Sequence, residues 1–188
     1  MNKNGDHGIN WCDYTVNPAT GCYGPGGTRE QPKLCDYCYA LENALRYKRL
    51  FEPTWHPDRL AEPAREKRPS KIFVGSMTDL FGAWTPVDWI SQVMTMVKRN
   101  PQHVFQFLTK NPKRLPNFNP WPDNAWVGAT IDIRARLEPT LEALSKVQAL
   151  VRFVSFEPLN EDMGIPELAS AVEWVIVGAQ TGRNAHQP

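Results

Sequence analysis

Apolar and polar positions along the chain fall into short blocks. Five runs rich in β-branched and aromatic side chains recur at 71–75, 104–108, 125–129, 151–155 and 174–178. Each is too short for a helix and almost continuously apolar, as expected of strands covered on both faces of a parallel sheet. Between them lie amphipathic stretches with helical spacing at 39–50, 87–98 and 133–147, and a shorter one at 166–171. With a further strand expected at 17–21, the alternation predicts an α/β domain of six parallel strands joined by crossovers.

The way these runs stop is more telling than the runs themselves. After the strands come Ser76-Met77-Thr78-Asp79, Thr109-Lys110, Thr130-Ile131-Asp132, Ser155-Phe156-Glu157 and Gln180-Thr181-Gly182. In parallel β/α folds the C-terminal strand ends line the active site, so polar endings in succession predict one polar mouth. Ser, Thr and Asp at such places also cap the helix that follows. Lys110 and Glu157 are poor caps and costly to bury unpaired, which favours a functional reading for those two.

Cysteine placement adds candidate chemistry. Cys22, Cys35 and Cys38 gather just after the first expected strand. The two residues between Cys35 and Cys38 let both sulfurs reach one metal centre, and a longer loop returns Cys22 to complete a three-thiolate face. Three protein ligands suit a [4Fe–4S] cluster with one open iron, whereas a structural zinc site takes four closed ligands. Cys12 keeps zinc open as the alternative, because all four cysteines together make a tetrahedral set. That alternative would make the chain a zinc-binding structural or interaction module.

Composition narrows the setting. Four cysteines in 188 residues, behind a polar N-terminus with no apolar run, read as a reduced, cytoplasmic protein rather than a disulfide framework. No stretch is long and apolar enough for a membrane span. The formal net charge of +1 gives no global argument for nucleic acid. Basic runs at 46–49 and 110–114 read as solvated faces, so nucleic acid stays open as a partner without support from charge. Trp55, Trp84, Trp89, Trp121 and Trp126 read as packing residues, and His56 and His103 have no partner at metal-ligand spacing. Gly24-Pro25-Gly26-Gly27 lacks the lysine and strand-to-helix context of a phosphate loop.

The cysteine loop, the aromatic residue before its last cysteine and six βα units with polar strand ends resemble the radical S-adenosylmethionine enzymes. Closer still, several segments are similar to a phage-associated family of unknown function that itself resembles radical enzymes of the spore photoproduct lyase kind. They are Trp11, Asn17-Pro18-Ala19-Thr20-Gly21-Cys22, Cys35-Asp36-Tyr37-Cys38-Tyr39-Ala40, residues 75–81, Leu108-Thr109-Lys110, residues 155–159 and Val177-Gly178. The resemblance runs nearly end to end and implies a single domain over 1–188, a partial (β/α)6 barrel of the TIM type with its cluster loop at 22–38.

It further implies that Cys22, Cys35 and Cys38 hold the cluster, that S-adenosylmethionine chelates the open iron, and that an external electron donor drives hydrogen abstraction from an unknown substrate. Tyr37 would lie against the adenine. Ser76 and Asp79 would meet the cofactor's amino group, and Thr130 and Asp132 its ribose hydroxyls. Lys110, Ser155, Glu157 and Gln180 would face the cofactor carboxylate or the substrate.

Three departures from the family pattern stand out. The insert at 23–34 spaces the first two cysteines further apart than the pattern does, although loop-closure entropy rises slowly with length. Gln180 stands where the family tends to carry an acid, and His186 lies near where it tends to carry an arginine. The chain also stops at Pro188, soon after the sixth run, which reads as a fragment or a compact member without a C-terminal cover, and a catalytically inactive barrel that still binds a cluster stands as a further alternative.

Overall fold

The computed structural model describes residues 1–5, 9–159, 161–163 and 171–179. Seven strands form the main sheet: β1 (Asn2–Lys3), β2 (Tyr14–Val16), β5 (Lys71–Val74), β6 (Val104–Thr109), β7 (Ala125–Thr130), β8 (Val151–Phe156) and β9 (Trp174–Val177). They lie side by side in that order. β1 pairs antiparallel with β2, and every other neighbour is parallel. A separate two-stranded ribbon joins β3 (Ala19–Thr20) to β4 (Thr54–Trp55).

The five apolar runs therefore become β5 to β9, within a residue or so of the expected bounds. The first parallel strand does not fall at 17–21. It is Tyr14–Val16, and the chain then turns at Asn17-Pro18, because a proline cannot donate to a central ladder. Ala19–Thr20 is drawn off to the ribbon.

Crossovers put one face of the sheet under helices. α2 (Val87–Arg99) buries Ile90, Val93, Met96 and Val97, a 3.6-period stripe, against Ile72, Val74, Phe105 and Phe107 of the core. Each such side chain contributes about 1.5–3 kcal/mol relative to exposure. α3 (Leu137–Ser145) adds Leu144 and Ala143, and α1 (Tyr39–Arg46) buries Ala40 and Ala44. α1 is shorter than its sequence pattern: Lys48 adopts φ 52°, a left-handed conformation that ends the helical path. α3 starts later than expected because Arg134–Arg136 form a 3₁₀ turn. The helix expected at 166–171 lies, but for its last residue, outside the described residues.

The opposite face curls around one indole. Trp11, just before β2, meets Phe73 of β5 at 4.7 Å, Phe153 of β8 at 6.5 Å and Trp174 of β9 at 6.1 Å. Strands in a flat sheet stand about 4.8 Å apart, so β5 and β9 would be separated by roughly 19 Å. One indole reaches both only because the sheet rolls up around it. Gln106 of β6 donates from Nε2 to the Trp11 carbonyl at 3.2 Å, fixing the plug from a third direction. Gly128 of β7 leaves room for the Phe153 ring, which an added Cβ would meet at 2.6 Å. Among the described residues, no helix is long and apolar enough to cross a membrane.

Removing the plug tests this account. Trp11→Ala should lower unfolding free energy by about 3 kcal/mol, within the usual range for truncating a large aromatic. Trp11→Phe should cost less. Denaturant titration of both variants checks it, and equal stability of Trp11→Ala and the parent would mean that the curl is held elsewhere.

Candidate metal centre and polar mouth

The cysteine loop hangs directly above the end of β5. Gly21 has φ +83°, and a Cβ there would meet the Glu52 carbonyl oxygen at 2.1 Å, so the position admits glycine alone. Its amide donates to the Met77 carbonyl at 2.9 Å, the Thr78 hydroxyl donates to the Gly21 carbonyl at 2.6 Å, and the Cys22 amide donates to Phe51 at 3.2 Å. Cys22 is thereby delivered to the C-terminal side of the sheet.

The insert that follows is a closed excursion. The Lys33 amide donates to the Tyr23 carbonyl at 2.7 Å, pinching the loop at its neck. Gly24, at φ +78°, permits that approach, since a Cβ would fall 1.7 Å from the Lys33 carbonyl oxygen. The Tyr23 ring packs edge-on to Trp84 at 5.6 Å. Insert length therefore has little bearing on where Cys35 begins relative to Cys22. From Cys35 the chain turns at once, the Cys38 amide donating to the Cys35 carbonyl at 3.1 Å, and Cys38 becomes the N-cap of α1.

All four thiols are free. The Gly24 amide donates to the Cys22 sulfur at 3.2 Å and the Leu41 amide to the Cys38 sulfur at 3.4 Å. Burial pushes the Cys22 thiol up to about 12, with the Gly24 amide pulling against it. Burial also raises Cys35, opposed first by the positive charge of Lys110. Among the described residues, no three His, Cys, Asp or Glu side chains converge as ligands of a single ion.

Cys12 stands apart. It precedes the N-terminal end of β2, where the Asp13 amide donates to the carbonyl of Lys71, the first residue of β5. The other three cysteines follow the C-terminal strand ends. Cys12 is buried with the Asn4 side chain donating to its sulfur at 2.8 Å, and burial pushes it up to about 11.

Around the mouth, the predicted polar residues are present but already engaged with one another. Asp79 accepts from the Thr109 hydroxyl at 2.6 Å and the Phe81 amide at 3.0 Å on one oxygen, and from the Lys110 amide at 2.9 Å on the other. It ties the end of β5 to the end of β6. This carboxylate, expected as a partner for an amino group, also braces the two strand ends.

Asp132 is likewise committed: Arg136 Nη1 donates to one oxygen at 2.6 Å and the Tyr37 hydroxyl donates to the other. That places Tyr37 of the cysteine loop on the end of β7, and burial, then the bond to Asp132, raises the phenol so that it stays a donor. The Lys110 ammonium lies 5.4 Å over the Tyr37 ring. Ser155 donates to Glu157 at 2.8 Å at the end of β8, Thr130 is buried at the end of β7, and Ser76 exchanges hydrogen bonds with Asn17 at 3.1 and 3.2 Å. Gln180 lies outside the described residues.

Three contributors have roles that the sequence patterns do not show. Asn17 also accepts the Met77 amide at 2.9 Å and so fixes the turn after β5. Thr109 and Arg136 hold the two carboxylates. Asn17 and Thr109 lie in segments already picked out, and Arg136 leaves a trace four residues after Asp132.

Two outcomes follow from this geometry. Asp79→Ala should destabilise the fold by about 2–3 kcal/mol, since it strands three donors, and a denaturant midpoint unchanged from the parent would remove the brace. Cys12 holds far less thiolate at pH 8 than an ordinary thiol because its folded value is raised to about 11. Alkylation follows the thiolate, so Cys12 should react roughly a hundredfold more slowly in the folded protein than in its unfolded peptide, as measured by peptide mass spectrometry.

Residues 6–188 match a family model described as "Protein of unknown function (DUF5131)". No curated protein and no solved structure matches the chain. Since the model spans nearly the whole length, the chain belongs to this family of unknown function.

Proposed function

We propose that this chain is a radical S-adenosylmethionine enzyme on a partial (β/α)6 barrel, its cluster held by Cys22, Cys35 and Cys38. The observation that carries the reading is the delivery of these three thiols, without Cys12, to the C-terminal strand ends of a rolled sheet whose six parallel strands run in chain order. Backbone amides aimed at two of the sulfurs fit a thiolate set, since donors to sulfur stabilise its negative charge.

When bound, a [4Fe–4S] cluster with one open iron would supply the electron that cleaves S-adenosylmethionine reductively and so permits hydrogen abstraction from a substrate carbon. The chain's own groups would do the positioning. Lys110 offers a cation beside Cys35 for a carboxylate, at the height where the strands end. Ser76 and Thr130 offer hydroxyls at neighbouring ends, and the Ser155 bond keeps Glu157 oriented at the next. Asp79 and Asp132 support this mouth as braces, and the neighbouring hydroxyls and backbone carbonyls would share with them the contacts to the cofactor amino and ribose groups.

Anaerobic purification and reconstitution with iron and sulfide test the proposal. The protein should turn brown and bind iron and sulfide in equal amounts, and S-adenosylmethionine should perturb the electron paramagnetic resonance signal of the reduced protein. Alanine at Cys22, Cys35 or Cys38 should abolish loading, while Cys12→Ala should preserve it. A colourless zinc protein that loses metal equally in all four variants would establish the closed four-cysteine module instead. An unchanged signal at saturating S-adenosylmethionine would remove the radical-enzyme reading.

A further inference from the structure

The Cys35–Cys38 turn is tied to the strand ends at two places: the Tyr39 hydroxyl, directly past the turn, donates to the Ser76 carbonyl after β5, and one further bond comes from within the turn. Among the described residues, Leu34, Cys35 and Asp36 make no side-chain bond to the sheet, and the internal bond from the Cys38 amide to Cys35 only tightens the turn. Tyr37 is the exception. Its hydroxyl reaches across 95 residues of sequence to Asp132 at the end of β7. We propose that Asp132 is a positioning residue that latches this turn, and with it Cys35 and Cys38, onto the barrel mouth through the Tyr37 phenol.

The surroundings fit a latch built to stay shut. Asp132 is only 5 % exposed, and a buried carboxylate is costly unless it is paired and hydrogen-bonded. Arg136, one helical turn further on, supplies the charge partner at 2.6 Å and leaves the second carboxylate oxygen for the phenol. Arg136 is about a quarter exposed, so its own charge remains solvated. Lys110 closes the arrangement from the end of β6, its ammonium over the ring face, so the ring is held at its hydroxyl edge by one strand and over its face by another. A tyrosine between two cysteines can thus carry loop geometry that neither cysteine fixes alone.

The role of Asp132 is separable from the metal reading, on which only the second arm of the test rests. In metal-free protein, Tyr37→Phe should let the turn open and raise the N-ethylmaleimide reaction rates of Cys35 and Cys38 roughly ten- to hundredfold, the effect of losing one hydrogen bond to a charged group. Cys12 should keep its rate. Asp132→Asn retains an acceptor for the phenol but loses the charge pair, so its rise should be smaller. Rates at Cys35 and Cys38 equal to the parent in both variants would overturn the latch, and so would a rise of the same size at Cys12, which marks general loosening.

In the second arm, reconstituted Tyr37→Phe should surrender iron to a chelator faster than the parent. A parent that never loads iron counts against the proposed cluster and leaves the alkylation result standing. A loaded parent and variant that lose iron at the same rate, with unchanged alkylation, count against the latch.

Discussion

Six parallel strands in unbroken chain order impose one constraint from which much else follows: every crossover must land on the same face. Right-handed β–crossover–β connections place their helices consistently, and without a reversal in strand order the described residues form no second helical layer. The face left bare must then be filled from within the sheet, and Trp11 fills it. Its contacts to Phe73 and Trp174 close a distance that a flat sheet would hold open. Glycine at 128 on the same inner face is part of that filling, because the Phe153 ring occupies the volume of a missing side chain. Curvature and core composition are one requirement seen twice.

Rolling the sheet also brings the strand ends together, and that creates an electrostatic problem. Carboxylates from neighbouring strands would face one another across a small mouth. The structure resolves this by giving each its own donors: Asp79 takes a hydroxyl and two amides, Asp132 an arginine and a phenol, and Glu157 a serine. Buried charge is tolerable when its hydrogen-bonding capacity is filled, and costly otherwise. The same pairings stitch β5 to β6 and the cysteine loop to β7, so neutralising the mouth and holding it in shape are achieved by the same bonds. Lys110 is different. Its amide serves Asp79, while its ammonium has an aromatic ring and no carboxylate within ion-pair distance among the described residues. It remains the mouth's available cation.

What the sequence revealed, and what it concealed, follows from the range of each interaction. β5 to β9 were readable because dense β-branched and aromatic runs of strand length carry their own signal. β2 was misplaced because three residues, Tyr14–Val16, are too few to show a period, and the neighbouring Asn17-Pro18-Ala19-Thr20 looked as strand-like. The end of α1 was hidden because Leu50 keeps the helical spacing although Lys48 has left the helix. At the mouth, residue types were visible and their partners were not. Tyr37 and Asp132 are 95 positions apart, and Asp79 and Thr109 are 30 apart, so nothing local tells a brace from an open ligand.

This distinction changes how the cysteine loop is understood. A CxxC pair states which atoms can bind, while the loop that carries it must also be held at one height over the sheet. Three fixings within the loop do so, Gly21 hydrogen-bonded to the turn after β5, the neck between Tyr23 and Lys33, and the phenol of Tyr37 on Asp132, and the Tyr39 hydroxyl on the Ser76 carbonyl adds another just beyond Cys38. The first two determine where Cys22 stands and where the chain returns, and both rely on glycines whose missing Cβ lets two backbones touch. The third determines the tilt of the turn that bears Cys35 and Cys38, and it depends on side chains alone. Backbone fixings survive most substitutions outside their glycines, whereas a side-chain fixing is lost with one hydroxyl. Of the three, the contact at Tyr37 is therefore where a single change most readily separates the geometry of the thiols from the stability of the fold.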